Sequence, residues 1–403
     1  VATTSADRIA TLDVIRGVAV MGILVANLPA FGLPRAAYFS PSPWGGTGAA
    51  DIAAWTATFV LVEGKMRGLF SFLFGASMLL VIDRATQAGE TAFSVHYQRM
   101  FWLFLIGLVH LYGLWWGDIL AHYALVGAAA FFFTGLPVRG LIVAGAAALI
   151  VQAIWSALPL LAILANMPGA DAMLAGFGAG SPGVSAEVAA MRGGYAETLS
   201  WRAANNTDPF SFLFFAAPET LGYMLWGMAG LKSGFLTAAW ERRRYARWAA
   251  ILVPSGLALY LVLAAMTLRS GFDPRYVLFG SIVGSTPIRP VFFLGYVCLI
   301  VLAARPGGWL TERVAAVGRT AFTNYLGTTL LMTAIFQGWG LGMFGRLGRA
   351  EMYLLVPVAW ALMLAWSKPW LERYRYGPLE WLWRSLARLE VQPLRLSPRV
   401  RTS

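Results

Sequence analysis

Ten apolar runs recur along the 403-residue chain, at 17–33, 69–82, 100–116, 119–136, 141–164, 210–231, 249–268, 284–304, 321–341 and 352–366. A helix of roughly 20 residues crosses the hydrocarbon core of a bilayer, so these runs account for most of the chain. Only 12% of the residues are charged and 58% are apolar, against roughly 25% charged in soluble domains. A soluble globule is excluded, and the expected fold is an all-α, polytopic integral membrane bundle of about ten transmembrane helices. The first run resembles a signal-peptide core. It lacks a small-x-small cleavage site and many spans follow it, so a retained first helix is expected.

Alternating ten spans from a cytoplasmic N-terminus places 21 of the 31 Lys and Arg inside, 7 outside and 3 within spans. This bias supports cytoplasmic N- and C-termini, in what is expected to be a bacterial inner membrane. The organisation expected is a four-helix unit over 1–136, a middle group over 137–304 with a polar outer loop at 165–208, a C-terminal region over 305–390 and a basic tail over 391–403. The net charge of +12 then faces anionic lipid and ligand phosphates, with no nucleic-acid partner expected. A lone cysteine, Cys298, forms no intrachain disulfide, and no Cys/His spacing predicts a metal.

An ionisable residue inside a span costs about 2.5–3.5 kcal/mol on insertion scales, so function is sought at such residues. Asp13, Arg16 and Asn27 share one helical face. Arg16 either pairs with Asp13 at i, i+3 or holds a phosphate or carboxylate. Glu63 and Arg67, at i, i+4, are expected to pair, leaving Lys65 on the opposite face as the unpaired charge. His110 precedes Asp118 across the turn Trp115-Trp116-Gly117-Asp118, a spacing suited to a base and its orienting carboxylate. The alternative is a histidine bonded to a carbonyl, with Asp118 capping the next helix. Glu219 follows Pro218 in midspan, and Pro287 and Pro290 around Arg289 predict a broken helix lining a cavity. No Walker loop, dinucleotide fingerprint, Gly-x-Ser-x-Gly elbow or His-Glu-x-x-His is present.

Several strings carry a family resemblance. These are Arg8-Ile-Ala-Thr-Leu-Asp13-Val-Ile-Arg16-Gly17, Lys65 ahead of Leu69-Phe-Ser-Phe-Leu-Phe-Gly75, His110 with Trp116-Gly117-Asp118, Gly318-Arg319-Thr-Ala-Phe-Thr-Asn324-Tyr325, and Gly377-Pro378-Leu-Glu380-Trp381-Leu-Trp383-Arg384. They resemble the YeiB-like family of bacterial inner-membrane proteins, domain of unknown function family 418, over nearly the whole chain. The first string is shared with a wider group of membrane-bound acyltransferases. That group includes the lysosomal heparan-alpha-glucosaminide acetyltransferase, which passes an acyl group from cytosolic acyl-CoA to an acceptor across the membrane.

The resemblance implies acyl transfer, with acyl-CoA as co-substrate and a lipid, glycan or small molecule as acceptor. Under that reading Arg16, Lys65 and Arg319 hold the donor, Asn27 and Arg67 are further substrate-binding residues, and Asn324 and Tyr325 position the acyl carbonyl. His110 with Asp118 moves the proton. One departure stands out: where the acetyltransferase has its catalytic histidine, this chain reads Ser40-Pro-Ser-Pro-Trp44-Gly-Gly46, with none. The competing readings are a transporter or flippase using Glu219 and the break near Arg289, and an accessory subunit of a larger membrane complex. Membrane lipids are the expected surroundings, and self-association into a homo-oligomer is left open.

Overall fold

The computed structural model describes residues 5–177, 183–205 and 208–396. The chain rises through α1 (Ser5–Gly32), turns back through α2 (Ala49–Leu61) and α3 (Lys65–Gln87), and rises again through α4 (Ala92–Leu108) and a π-helical turn, Val109–Leu114. It descends as α5 (Leu120–Ala130) and returns as α6 (Val138–Leu164). Three short helices follow, α7 (Ala170–Ala175), α8 (Val184–Arg192) and α9 (Tyr195–Asn205), before α10 (Pro209–Lys232) and α11 (Arg242–Arg269). Next come α12 (Pro274–Leu278), a second π-helical turn (Phe279–Gly284) and α13 (Arg289–Ala303). The C-terminal part holds α14 (Trp309–Arg319), α15 (Ala321–Phe336), α16 (Arg349–Met352), α17 (Leu355–Arg373) and α18 (Pro378–Arg388). No strand occurs among the described residues, only an isolated bridge between Tyr374 and Arg395.

All ten apolar runs fall on helices, and the architecture is the expected all-α membrane bundle. By length and composition six segments can cross a membrane, or seven when α12 and its π turn are joined to α13 across a 57° bend. That bend is the break predicted around Arg289. The other three runs are α5, a short apolar helix, α15, of 16 residues, and α10, whose hydropathy is lowered by Pro218, Glu219 and its glycines. Much of α5, α10 and α15 is buried against protein, so these helices need less apolar surface than a lipid-facing span.

Glycine sets how closely the helices approach, because lipid offers little hydrophobic drive between spans and association rests on packing. A Cβ at Gly75 would overlap the Met224 carbonyl, and one at Gly227 would overlap the Phe72 carbonyl, so α3 and α10 touch backbone to backbone at two points. Gly17 and Gly318 do the same for α1 and α14, against the carbonyls of Val314 and Asp13. At the α1 N-terminal end, α18 lies against α4 and α15. Its Glu380 caps α15, accepting the N–H groups of Phe322 at 2.7 Å and Thr323 at 3.1 Å, while the Trp383 indole donates to the Arg99 carbonyl at 3.0 Å.

Two expectations are corrected here. Glu63 and Arg67 do not pair within a helix, because Gly64, at φ +72°, breaks the helix between them and turns α2 into α3. The segment 165–208 is not a simple polar loop. Helices α8 and α9 form a cap over the C-terminal end of α1. The buried Arg202 guanidinium donates to the Leu114 carbonyl at 2.6 Å and the Gly113 carbonyl at 2.9 Å, and Arg192 donates to the Phe344 carbonyl at 2.7 Å. These carbonyls belong to helix ends and loops, which lack intrahelical partners and so accept from the cap. Part of the basic tail, 397–403, lies outside the described residues.

Glu187 of α8 is buried, and its two carboxyl oxygens accept the backbone N–H of Arg35 at 3.2 and 3.1 Å. Burial pushes this carboxyl up to about 7 from an ordinary 4.5, against the opposing pull of the Arg35 N–H and charge.

Two outcomes are expected. Gly227→Ala forces α3 and α10 apart and lowers stability by about 1–3 kcal/mol, read as a fall in the thermal midpoint of the purified protein; an unchanged midpoint contradicts the close crossing. A raised carboxyl contributes stability that is complete below its unfolded value and disappears as pH rises through its folded value. Corrected amide exchange across 184–205 is therefore expected to be faster at about pH 8 than at about pH 5, and Glu187→Gln to abolish the difference.

Candidate functional site

Three interruptions meet in the middle of the bundle: the Val62–Gly64 turn between α2 and α3, the bend before α13, and Pro218 in α10. Proline at 218 removes an N–H from α10, and one turn of its ladder opens. Gln152 of α6 fills the opening: its Nε2 donates to the Phe215 carbonyl at 2.9 Å and its Oε1 accepts the Glu219 N–H at 3.3 Å. A side-chain amide inserted in this way is a recognised cause of a local kink. The result aims Glu219 at α3 and α13.

Glu219 is bound by two arginines. Arg67 of α3 forms an ion pair with one carboxylate oxygen, while Arg289 Nη1 donates to the other at 2.8 Å, as does the Tyr223 hydroxyl, also at 2.8 Å. Arg289 Nη2 is further held by the Ser281 carbonyl at 2.6 Å and the Ser285 hydroxyl at 2.8 Å. Gly64 completes the setting, since a Cβ there would lie 2.6 Å from Arg289 Nε. The glycine thus both turns the chain and makes room for the guanidinium.

These charges line a cavity of about 440 Å³ that runs from the cluster toward the C-terminal end of α1. Its wall includes Asn27, Glu63, Arg67, Asp118, His122, Glu219, Arg289 and Tyr325, with Phe39, Trp115, Trp116 and Phe212 as aromatic faces. At the rim the Arg35 guanidinium lies between the Trp116 and Trp201 rings, 4.8 and 4.7 Å from their centroids. This is the size and character of a small-molecule site, mostly apolar with a few convergent polar groups.

The residues singled out in the sequence divide into two sets. Asn27, Arg67, Asp118 and Tyr325 line the cavity. His110 pairs with Asp118 as expected, at 2.7 Å from Nδ1, but its Nε2 lies 3.1 Å from the Thr329 hydroxyl and the ring is buried behind the wall, so both nitrogens are bonded. Asp118 also accepts the Ala121 N–H at 2.8 Å and so caps the start of α5, whereas His110 bonds side chains and not a backbone carbonyl.

The remaining candidates lie elsewhere. Lys65 is fully buried away from the cavity, donating to the Phe59 carbonyl at 2.6 Å and lying 3.1 Å from the Tyr260 ring centroid, with Phe59 and Phe292 beside it. Its amino group meets a carbonyl and aromatic faces. Arg16 pairs with Asp13 at 2.7 Å and donates to Ser77 at 2.9 Å, near the N-terminal end of α1. Arg319 is exposed at the end of α14. Asn324 is buried in a polar knot, donating to Thr320 at 2.9 Å and accepting from the Trp366 indole at 2.9 Å.

Sequence reasoning passed over His122 as a site residue. It is buried, its Nε2 lies 2.8 Å from the Thr220 hydroxyl, and its Nδ1 has no hydrogen-bond partner among the described residues. The available signal was its place one turn past Asp118, on the same helix face that a cavity at that turn would use. No group of three or more potential metal ligands occurs among the described residues.

Comparison with known proteins places this architecture. The profile described as "Protein of unknown function (DUF418)" matches residues 231–390, from the end of α10 through α18. The chain is 31% identical over 396 residues to "Uncharacterized protein YeiB" of Escherichia coli (strain K12), covering 94% of this chain and 96% of that protein. It is 30% identical over 411 residues to "Uncharacterized protein YxaH" of Bacillus subtilis (strain 168), covering 97% of each. A more distant relative, 24% identical over 390 residues, is the "Uncharacterized 39.9 kDa protein in amylase 3'region" of Bacillus acidopullulyticus. Similarity of this extent, along both chains from end to end, shows that the protein belongs to the YeiB-like DUF418 family.

Proposed function

We propose that this protein is a membrane-embedded acyltransferase whose acceptor occupies the cavity between α1, α3, α5, α10 and α13. One observation carries the reading: one cavity, partly shielded from water, holds two guanidinium groups beside a buried imidazole with a ring nitrogen that has no hydrogen-bond partner among the described residues. Acyl transfer needs a donor group facing the oxyanion that develops on the acyl carbon, and a proton acceptor for the incoming hydroxyl or amine. Arg67 and Arg289 line the cavity and Glu219 offsets one of their two charges, so the cluster keeps a net positive charge that can stabilise an oxyanion.

In the proposed orientation the N-terminal end of α1 is cytoplasmic, all ten apolar runs cross an inner membrane, and acyl-CoA approaches from the end that holds Arg16 and Arg319. The acceptor enters from the opposite side, past Arg35 and the α8–α9 cap. An acceptor of mixed character, lipid, glycan or small molecule, suits the amphipathic wall, with aromatic faces near the rim and charged groups at the base.

A second reading, transport of a polar solute, draws on the Arg67–Glu219–Arg289 cluster lying where three helices are interrupted, an arrangement that transporters use at midmembrane binding sites.

Thermal unfolding of the purified protein with acetyl-CoA, longer acyl-CoAs and free CoA separates the two. A ligand at 100 times its dissociation constant stabilises the native state by about 2.7 kcal/mol. The expected result is a rise in midpoint with acyl-CoA exceeding that with CoA, the excess disappearing in Arg289→Gln. No shift with any CoA species contradicts acyl transfer, and solute uptake into proteoliposomes that is lost in Glu219→Gln would replace it with transport.

A further inference from the structure

We infer that His122 is the general base of this site, taking the proton from an acceptor hydroxyl through Nδ1. The inference rests on the acyl-transfer reading and names the residue and acceptor chemistry that reading leaves open. Its ground is geometric. His122 lines the cavity at 2% exposure, and its two nitrogens differ sharply: Nε2 lies 2.8 Å from Thr220 Oγ1, while Nδ1 has no hydrogen-bond partner among the described residues.

A buried imidazole nitrogen with no partner among the described residues carries an unrelieved desolvation penalty. Such an orphaned group calls for an explanation, and a catalytic role is one. His110 offers the contrast. It is equally buried and has a carboxylate partner, yet Asp118 and Thr329 occupy both of its nitrogens, so it has no lone pair to present.

The surroundings hold the ring in one pose. Phe212 packs against it at a centroid distance of 4.8 Å, and Thr220, one residue after Glu219, receives a second contact from Arg67 Nη1 at 3.4 Å. With its proton on Nε2 and donated to Thr220 Oγ1, the imidazole keeps the Nδ1 lone pair free. Thr220 is thus a positioning residue that couples the base to the arginine that faces the oxyanion. A hydroxyl acceptor suits this pair: it is neutral, too weak a nucleophile without a base, and its single proton has one place to go.

The reaction then balances. The acceptor O–H proton passes to Nδ1 as its oxygen bonds to the thioester carbonyl carbon, and the carbonyl electron pair moves onto oxygen beside Arg67 and Arg289. When that pair returns, the C–S bond breaks and the departing CoA thiolate takes the proton from Nδ1. The products are an ester and free CoA, and His122 ends neutral, as it began.

The test uses the full-length purified protein and acetyl-CoA, with water as the acceptor and release of free thiol as the readout. His122→Ala is expected to lower kcat by about 100-fold or more, to leave KM for acetyl-CoA within a few-fold, and to regain activity when imidazole is added to the medium. Thr220→Val, which keeps the ring and removes its Nε2 partner, is expected to lower kcat by a smaller factor. Turnover by His122→Ala at the wild-type rate overturns the inference, and so does a loss that imidazole fails to restore. Absence of thiol release from the wild-type protein with acetyl-CoA and longer acyl-CoAs overturns the acyl-transfer reading itself, whereas wild-type release that survives in His122→Ala leaves that reading intact and removes only the base.

Discussion

The pairing of Glu219 with Arg67 and Arg289 is the interaction on which the interior of this bundle depends. Each charge comes from a different helix, α10, α3 or α13, so the cluster ties three elements together where none has a regular backbone. Three ionised groups in a membrane interior are expensive singly and tolerable together, because each satisfies the others and the serine and tyrosine hydroxyls fill the remaining sites. Removing one partner leaves a buried charge uncompensated, which typically costs about 3–5 kcal/mol.

Small residues make the arrangement reachable. Gly64 turns the chain between α2 and α3 and leaves room for the Arg289 side chain, while Gly75 and Gly227 let α3 and α10 approach until their backbones touch. The inserted Gln152 satisfies the carbonyl and N–H that flank the Pro218 distortion. Backbone irregularity is confined to positions where protein or cavity, and not lipid, supplies the missing partners, as a membrane interior requires. The cap formed by α8 and α9 covers the end of the bundle where α1 finishes by donating to helix ends there: Arg202 donates to the last carbonyls of the π turn that carries His110.

Local features of the sequence carried over well. All ten apolar runs are helices, the prolines around Arg289 mark a real bend, and Asp13–Arg16 and His110–Asp118 are close in sequence and paired in space. Failure came where the answer lay on another element. Glu63 and Arg67 have ideal helical spacing, and a single glycine at positive φ cancels it; the true partner of Arg67 lies 152 residues away. Lys65 looked unpaired because its partners are a carbonyl and three rings contributed by α2, α11 and α13, which no periodicity reveals. His122 drew less notice than His110 because it sits in a short helix behind a stronger motif. What distinguishes it, one bonded and one unbonded nitrogen, is a property of the packed molecule.

The central claim, that the three-charge cluster acts as a unit and holds the cavity, is tested most directly by a double-mutant cycle between Glu219 and Arg289. Unfolding free energies of Glu219→Gln, Arg289→Gln and the double variant give the coupling between them. The cluster predicts a double variant less destabilised than the sum of the single ones, with a coupling of at least about 1 kcal/mol. Additivity within about 0.5 kcal/mol would mean that the two residues act independently, and the account of how this bundle builds its site would not stand.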